Sequence, residues 1–116
     1  MSRFLRQCLE KAGHEVEEWL PGSASEISWH LRSSAPDLIL TDYFMPGLSG
    51  SAVARIAQEG AHRIPVIVLT ALREEESISG LLRLGVRQVL TKPVEPGALV
   101  QAVMNALEAP KAPGGR

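Results

Sequence analysis

The 116-residue sequence contains a single cysteine, Cys8, which excludes an intrachain disulfide and gives no support for an oxidising compartment. No apolar run approaches the roughly 20 residues that a membrane-spanning helix needs. An excess of one charge is also lacking, since 12 basic and 13 acidic side chains give a net charge of −1. That balance argues against a broad nucleic-acid or membrane surface. No secretory signal is visible, and we expect a cytoplasmic protein.

Apolar residues are nevertheless abundant, at 45% of the chain, and their spacing predicts the secondary structure. A helical period predicts five helices, over residues 3–12, 23–33, 51–58, 74–84 and 96–107. Gly13 is placed to end the first helix, and Ser23 or Ser25 is placed to cap the second.

Three short aliphatic runs, over residues 37–42, 64–70 and 86–92, predict strands. The first two are almost continuously apolar, as is typical of strands covered on both faces. A fourth, partly polar run over residues 14–20 suits an edge strand. Alternation of strands and helices with short connections predicts an α/β fold with a parallel sheet. We expect one domain over residues 1–108, followed by a flexible Pro- and Gly-rich tail over residues 109–116.

Each of the three aliphatic runs ends on a polar side chain: Asp42, Thr70 and Lys92. Ligands of open parallel sheets bind beyond the carboxyl ends of the strands, so these side chains are expected to converge there. A carboxylate can attack a phosphoryl group, while a lysine and a hydroxyl can partly neutralise its oxygens. Taken singly, each residue also has a plain structural interpretation: a turn residue, a packed threonine and a solvated lysine.

Local sequence motifs add to this pattern. Residues 42–50, DYFMPGLSG, resemble the phosphoacceptor loop of response-regulator receiver domains. Residues 68–71, VLTA, and 90–93, LTKP, resemble the two later signatures of that family. The resemblance runs from about residue 3 to residue 107. It implies a flavodoxin-like, doubly wound parallel sheet between two layers of helices.

The resemblance also implies a role for each matching residue. Asp42 would accept a phosphoryl group from a histidine kinase or phosphotransfer protein. Thr70 would hydrogen-bond that group, and Lys92, joined to Pro93 by a cis peptide bond, would pair with a phosphate oxygen. The backbone carbonyl of Phe44 would join Asp42 as a magnesium ligand. The family signals through changed contacts with a downstream protein, here unknown, and catalyses only its own phosphorylation and dephosphorylation.

The sequence departs from the family at its start, where a hydrophobic first strand and an acidic pair that binds magnesium are expected. Without them, we expect a sheet of four strands with five helices, and weak magnesium binding. Three outcomes stay open for the gap beside the Asp42 strand: closure by its neighbours, filling by a second chain to form a dimer, or poor folding. Alternatively, Met1 is internal to a longer reading frame that encodes the missing strand.

A second departure is Val89, where many receivers carry an aromatic ring that moves on activation. The sequence therefore leaves two functions open. The first is a phosphorylated receiver domain. The alternative is a degenerate receiver that keeps the fold and binds proteins without phosphate.

Overall fold

The computed structural model describes residues 3–20, 22–45, 48–59 and 63–108. Its helices are α1 (Arg3–Lys11), α2 (Ala24–Ser34), α3 (Gly50–Glu59), α4 (Glu75–Arg83) and α5 (Pro96–Glu108). Its strands are β1 (Ile39–Asp42), β2 (Phe44–Met45), β3 (Leu48–Ser49), β4 (Val66–Thr70) and β5 (Gln88–Thr91). The five expected helices and three aliphatic strands are therefore present, whereas the expected tail, residues 109–116, lies outside the described residues. None of the helices in the described ranges is long and apolar enough to cross a membrane.

The main sheet is parallel, in the order β1-β4-β5. Its register places Asp42 opposite Leu69, and Thr70 opposite Thr91. The carboxyl ends of the three strands therefore lie along one edge of the sheet. The α/β class expected from the alternating pattern is confirmed.

Strand β4 contributes residues to both hydrophobic cores, because successive side chains of a strand point to opposite faces of the sheet. Ile67 and Leu69 pack on one face, and Val66 and Val68 pack on the other. The first core adds residues of α1 and α5: Leu9, Leu99, Ala102, Val103 and Ala106. The second core adds Ala54 and Ala57 of α3, Leu81 of α4, and the loop residues Ile64 and Val86. The sheet is therefore the middle of three layers, as expected.

The expected edge strand over residues 14–20 is wrong, since this segment has no strand conformation in the structure. Side chains hold it instead. The Arg6 guanidinium donates to the Val16 carbonyl at 3.0 Å and pairs with Glu18 at 2.7 Å. Hydrogen bonds to Glu18 and then Glu10 raise the pKa of Arg6 above its ordinary value.

Contacts with α2 complete the attachment of this segment. Glu17 lies 3.3 Å from the His30 ring nitrogen, and the Trp19 ring stacks on the His30 ring with centroids 4.1 Å apart. Within the described residues, β1 pairs only with β4, and the segment over residues 14–20 joins neither sheet. A short, partly polar run suits an edge strand, but a strand forms only where a neighbouring backbone pairs with it.

Ser23 is the N-cap of α2, which settles the choice that the sequence left open. Its hydroxyl accepts a hydrogen bond from the Glu26 N–H at 3.2 Å. We expect Ser23→Ala to lower the free energy of unfolding by about 1 kcal/mol, because that N–H loses its partner. Urea denaturation measures the loss, and Ser25→Ala, inside the first turn, is the matched control. Equal losses in the two variants would contradict the assigned cap.

Candidate functional site

The carboxyl edge of the main sheet brings the three expected site residues together. Asp42 ends β1, Thr70 ends β4, and Lys92 directly follows Thr91, the last residue of β5. Backbone hydrogen bonds also join the chain segments at the ends of these strands. The Tyr43 N–H donates to the Leu69 carbonyl, and the Lys92 N–H donates to the Thr70 carbonyl, both at 2.8 Å. The sheet register and these hydrogen bonds thus set the backbone positions of Asp42, Thr70 and Lys92.

The acid and the amine of this site are in direct contact. Lys92 Nζ lies 2.9 Å from Asp42 Oδ1. Both side chains are partly open to solvent, with 47% of Lys92 and 37% of Asp42 exposed. An ion pair this exposed contributes at most about 1 kcal/mol to stability, so its value lies in holding a cation beside an accessible carboxylate. The peptide bond between Lys92 and Pro93 is cis, as the resemblance implied.

Thr70 differs from the other two residues because it is buried, at 2% exposure. Its hydroxyl accepts a hydrogen bond from the Leu72 N–H at 3.0 Å. The hydroxyl therefore holds the first turn of the loop between β4 and α4, while the backbone of Thr70 contacts Lys92. Thr70 lies at the site and links it to that loop.

The chain beyond Asp42 forms a feature that the sequence pattern did not predict, the two-stranded antiparallel ribbon of β2 and β3. One hydrogen bond, from the Gly50 N–H to the Tyr43 carbonyl at 2.7 Å, joins Tyr43 and Gly50, since the Tyr43 N–H donates to Leu69 instead. Opposed residues of such ribbons alternate, so Phe44 and Ser49 form the non-bonded pair. The ribbon therefore leaves the Phe44 carbonyl to face away from its partner strand.

Gly50 is a site-shaping residue whose role sequence reasoning missed. A Cβ atom placed on it would lie 3.0 Å from both the Asp42 carbonyl oxygen and the Tyr43 Cα. Both neighbours are backbone atoms that cannot move aside cheaply, so a side chain here would displace the segment that carries Asp42. Gly50 is visible in the sequence as the last glycine of the DYFMPGLSG run, but the local sequence does not reveal that the backbone of Asp42 and Tyr43 approaches it.

The donor set for a divalent cation is small. Among the described residues, no group of three or more His, Cys, Asp and Glu side chains could hold a metal ion. The Asp42 carboxylate and the Phe44 carbonyl offer oxygen ligands, the type that magnesium prefers, and magnesium sites often add water and phosphate oxygens. The oxygen atoms of these two residues are of the type that would form part of a magnesium site.

Comparison with known proteins gives a consistent result. A family model described as the response regulator receiver domain matches residues 1–104. The phosphate regulon transcriptional regulatory protein PhoB of Rhizobium meliloti (strain 1021) is 35% identical over 114 residues, which cover 96% of this chain and 49% of that protein. Protein PilH of Pseudomonas aeruginosa is 35% identical over 101 residues, covering 85% of this chain and 82% of PilH.

A solved structure of a putative response regulator from Chloroflexus aurantiacus J-10-fl superimposes with a TM-score of 0.80 at 27% identity. The alignment covers 91% of this chain and 87% of that one. The flavodoxin-like receiver fold that the motifs implied is thereby confirmed. The chain spans about half the length of the PhoB relative, so only the shared domain is compared.

Proposed function

The chain belongs to the response regulator receiver domain family of two-component systems, and from that premise we propose that Asp42 is its phosphoacceptor. The observation that carries this proposal is the 2.9 Å contact between Lys92 Nζ and Asp42 Oδ1 at the carboxyl edge of the sheet. The contact holds a fixed cation where charge would develop during transfer of a phosphoryl group. The donor would be a histidine kinase or a phosphotransfer protein, as for receivers in general.

The transfer is a substitution at phosphorus. A carboxylate oxygen of Asp42 forms a bond to the phosphorus of a phosphohistidine, and the bond from phosphorus to the imidazole nitrogen breaks. The imidazole keeps that electron pair and takes a proton from water. The Lys92 ammonium stabilises the negative charge spread over the three equatorial oxygens, and positioning supplies most of the remaining rate enhancement.

Asp42 and the carbonyl of Phe44 would hold a magnesium ion weakly in this mechanism. When it is bound, the chemistry it supplies is neutralisation of charge on the phosphoryl oxygens. Lys92 performs the same task without any metal. Hydrolysis of the acyl phosphate by water would release inorganic phosphate and restore the Asp42 carboxylate, so both proposed reactions take place on the chain's own acceptor.

A second function is favoured by the small metal donor set at this site. A receiver with few magnesium ligands could keep its fold and bind proteins without phosphate. Val89, partly buried against the second core, also lacks the ring whose movement reports phosphorylation in many receivers. This degenerate receiver is the alternative that the experiment must separate.

The test is phosphorylation of the full chain by acetyl phosphate with magnesium, followed by intact mass measurement. We expect a mass gain of one phosphoryl group. Borohydride reduces an acyl phosphate to an alcohol, so homoserine at position 42 should mark the acceptor. No mass gain in a sample that unfolds cooperatively on heating would instead support the degenerate receiver.

A further inference from the structure

Arg73 lies at the same edge of the sheet but has no part in the proposed transfer. It belongs to the loop between β4 and α4, and its side chain is exposed. One nitrogen of its guanidinium donates a hydrogen bond to the Lys92 carbonyl at 3.2 Å. The side chain of Lys92 reaches Asp42 at 2.9 Å. Arg73 is therefore tethered to the backbone of the residue that pairs with the acceptor.

The charge at this edge would not balance after phosphorylation. A phosphoryl group brings close to two negative charges at neutral pH, by analogy with phosphoserine, and Lys92 brings one positive charge. Three further carboxylates, Glu74, Glu75 and Glu76, directly follow Arg73 at the start of α4. This acidic run adds negative charge at the start of α4 and supplies no cation to the edge. Arg73, in the loop directly before this acidic run, is a cation that could balance the added charge.

The guanidinium group has the chemistry for this task. It carries five N–H donors in a planar fork that matches phosphate oxygens, and the hydrogen bond to Lys92 occupies only part of that set. Its charge persists at any physiological pH. An exposed side chain can also turn toward the acceptor at little cost in packing.

We propose that Arg73 is a phosphoryl-binding residue that stabilises the phosphorylated form of Asp42 alongside Lys92. This inference rests on the proposed function, because it needs a phosphoryl group on Asp42. Arg73 would be the second cationic side chain, after Lys92, at a site that offers few magnesium ligands. Arg73 is not needed to form the bond to phosphorus, so its effect falls on the affinity for the bound group.

The test uses beryllofluoride, an unreactive mimic of the phosphoryl group, with the full chain and magnesium. Fluorine NMR measures the bound fraction as the mimic is titrated. We expect Arg73→Gln to weaken binding about tenfold, the factor for one lost charge-assisted hydrogen bond. Arg73→Lys should recover part of the loss, because it keeps the charge without the fork. Arg83→Gln, at the exposed far end of α4, is the matched control and should bind as the unmodified chain does.

Three results would overturn the proposal in different ways. If the unmodified chain and Arg73→Gln bind the mimic equally, Arg73 has no phosphoryl-binding role, while Asp42 stands as the acceptor. If Arg73→Gln and Arg73→Lys both lower the unfolding midpoint but leave the affinity unchanged, Arg73 only joins two loops. If the unmodified chain binds no mimic and gains no phosphoryl mass, the proposed function fails and this inference fails with it.

Discussion

Asp42→Asn is expected to abolish the mass gain from acetyl phosphate. The amide keeps the shape of the side chain but removes the negative charge and the nucleophilic oxygen that would bond to phosphorus. Intact mass measurement over a time course checks the result. Asp37→Asn is the matched control, because Asp37 is the only other aspartate in the sequence, and it should gain mass as the unmodified chain does.

The loss in Asp42→Asn should not come from unfolding. The Asp42–Lys92 pair is partly exposed, so breaking it should change the free energy of unfolding by about 1 kcal/mol or less. Thermal unfolding of the variant would show this directly. If Asp42→Asn is folded and still gains a phosphoryl group at the unmodified rate, the acceptor lies elsewhere and the carboxyl edge of the sheet loses its assigned role.

Much of this edge could be predicted from the sequence, for a physical reason. Strand β4 is buried at all five positions, and its first four residues, Val66 to Leu69, are apolar, so the pattern is visible without a structure. The polar residue that ends such a run, here Thr70, marks the carboxyl end of the strand. Because parallel strands end at the same edge, Asp42, Thr70 and Lys92 were predicted to converge without any knowledge of side-chain geometry.

The features that were missed depend on partners distant in the sequence. The segment over residues 14–20 is a partly polar run that suits an edge strand, but Arg6 and His30 hold it through contacts that no local pattern connects to it. The ribbon of β2 and β3 has strands of two residues each, too short to show a period. Arg73 lies in an exposed polar stretch where arginine is ordinary, and only its contact with Lys92 distinguishes it.

Leu99→Ala is expected to lower the free energy of unfolding by about 2–5 kcal/mol, the range for deleting most of a fully buried leucine side chain. Leu99 is 0% exposed and packs in the first core beside Ile67 and Leu69 of β4. Truncation removes apolar contact from the helix that follows Lys92 and from the strand that ends at Thr70. For a domain whose total stability is about 5–15 kcal/mol, this is a large fraction.

Urea denaturation measures the effect, and Leu107→Ala in the same helix is the matched control. Leu107 is 38% exposed, so its truncation should cost about 1 kcal/mol. The same chemical change at two positions of α5 thus isolates burial as the cause of the difference. Equal costs would mean that α5 does not pack on the sheet through Leu99. In that case the helix would not brace the loop that carries Lys92, and the 2.9 Å contact with Asp42 would need another support.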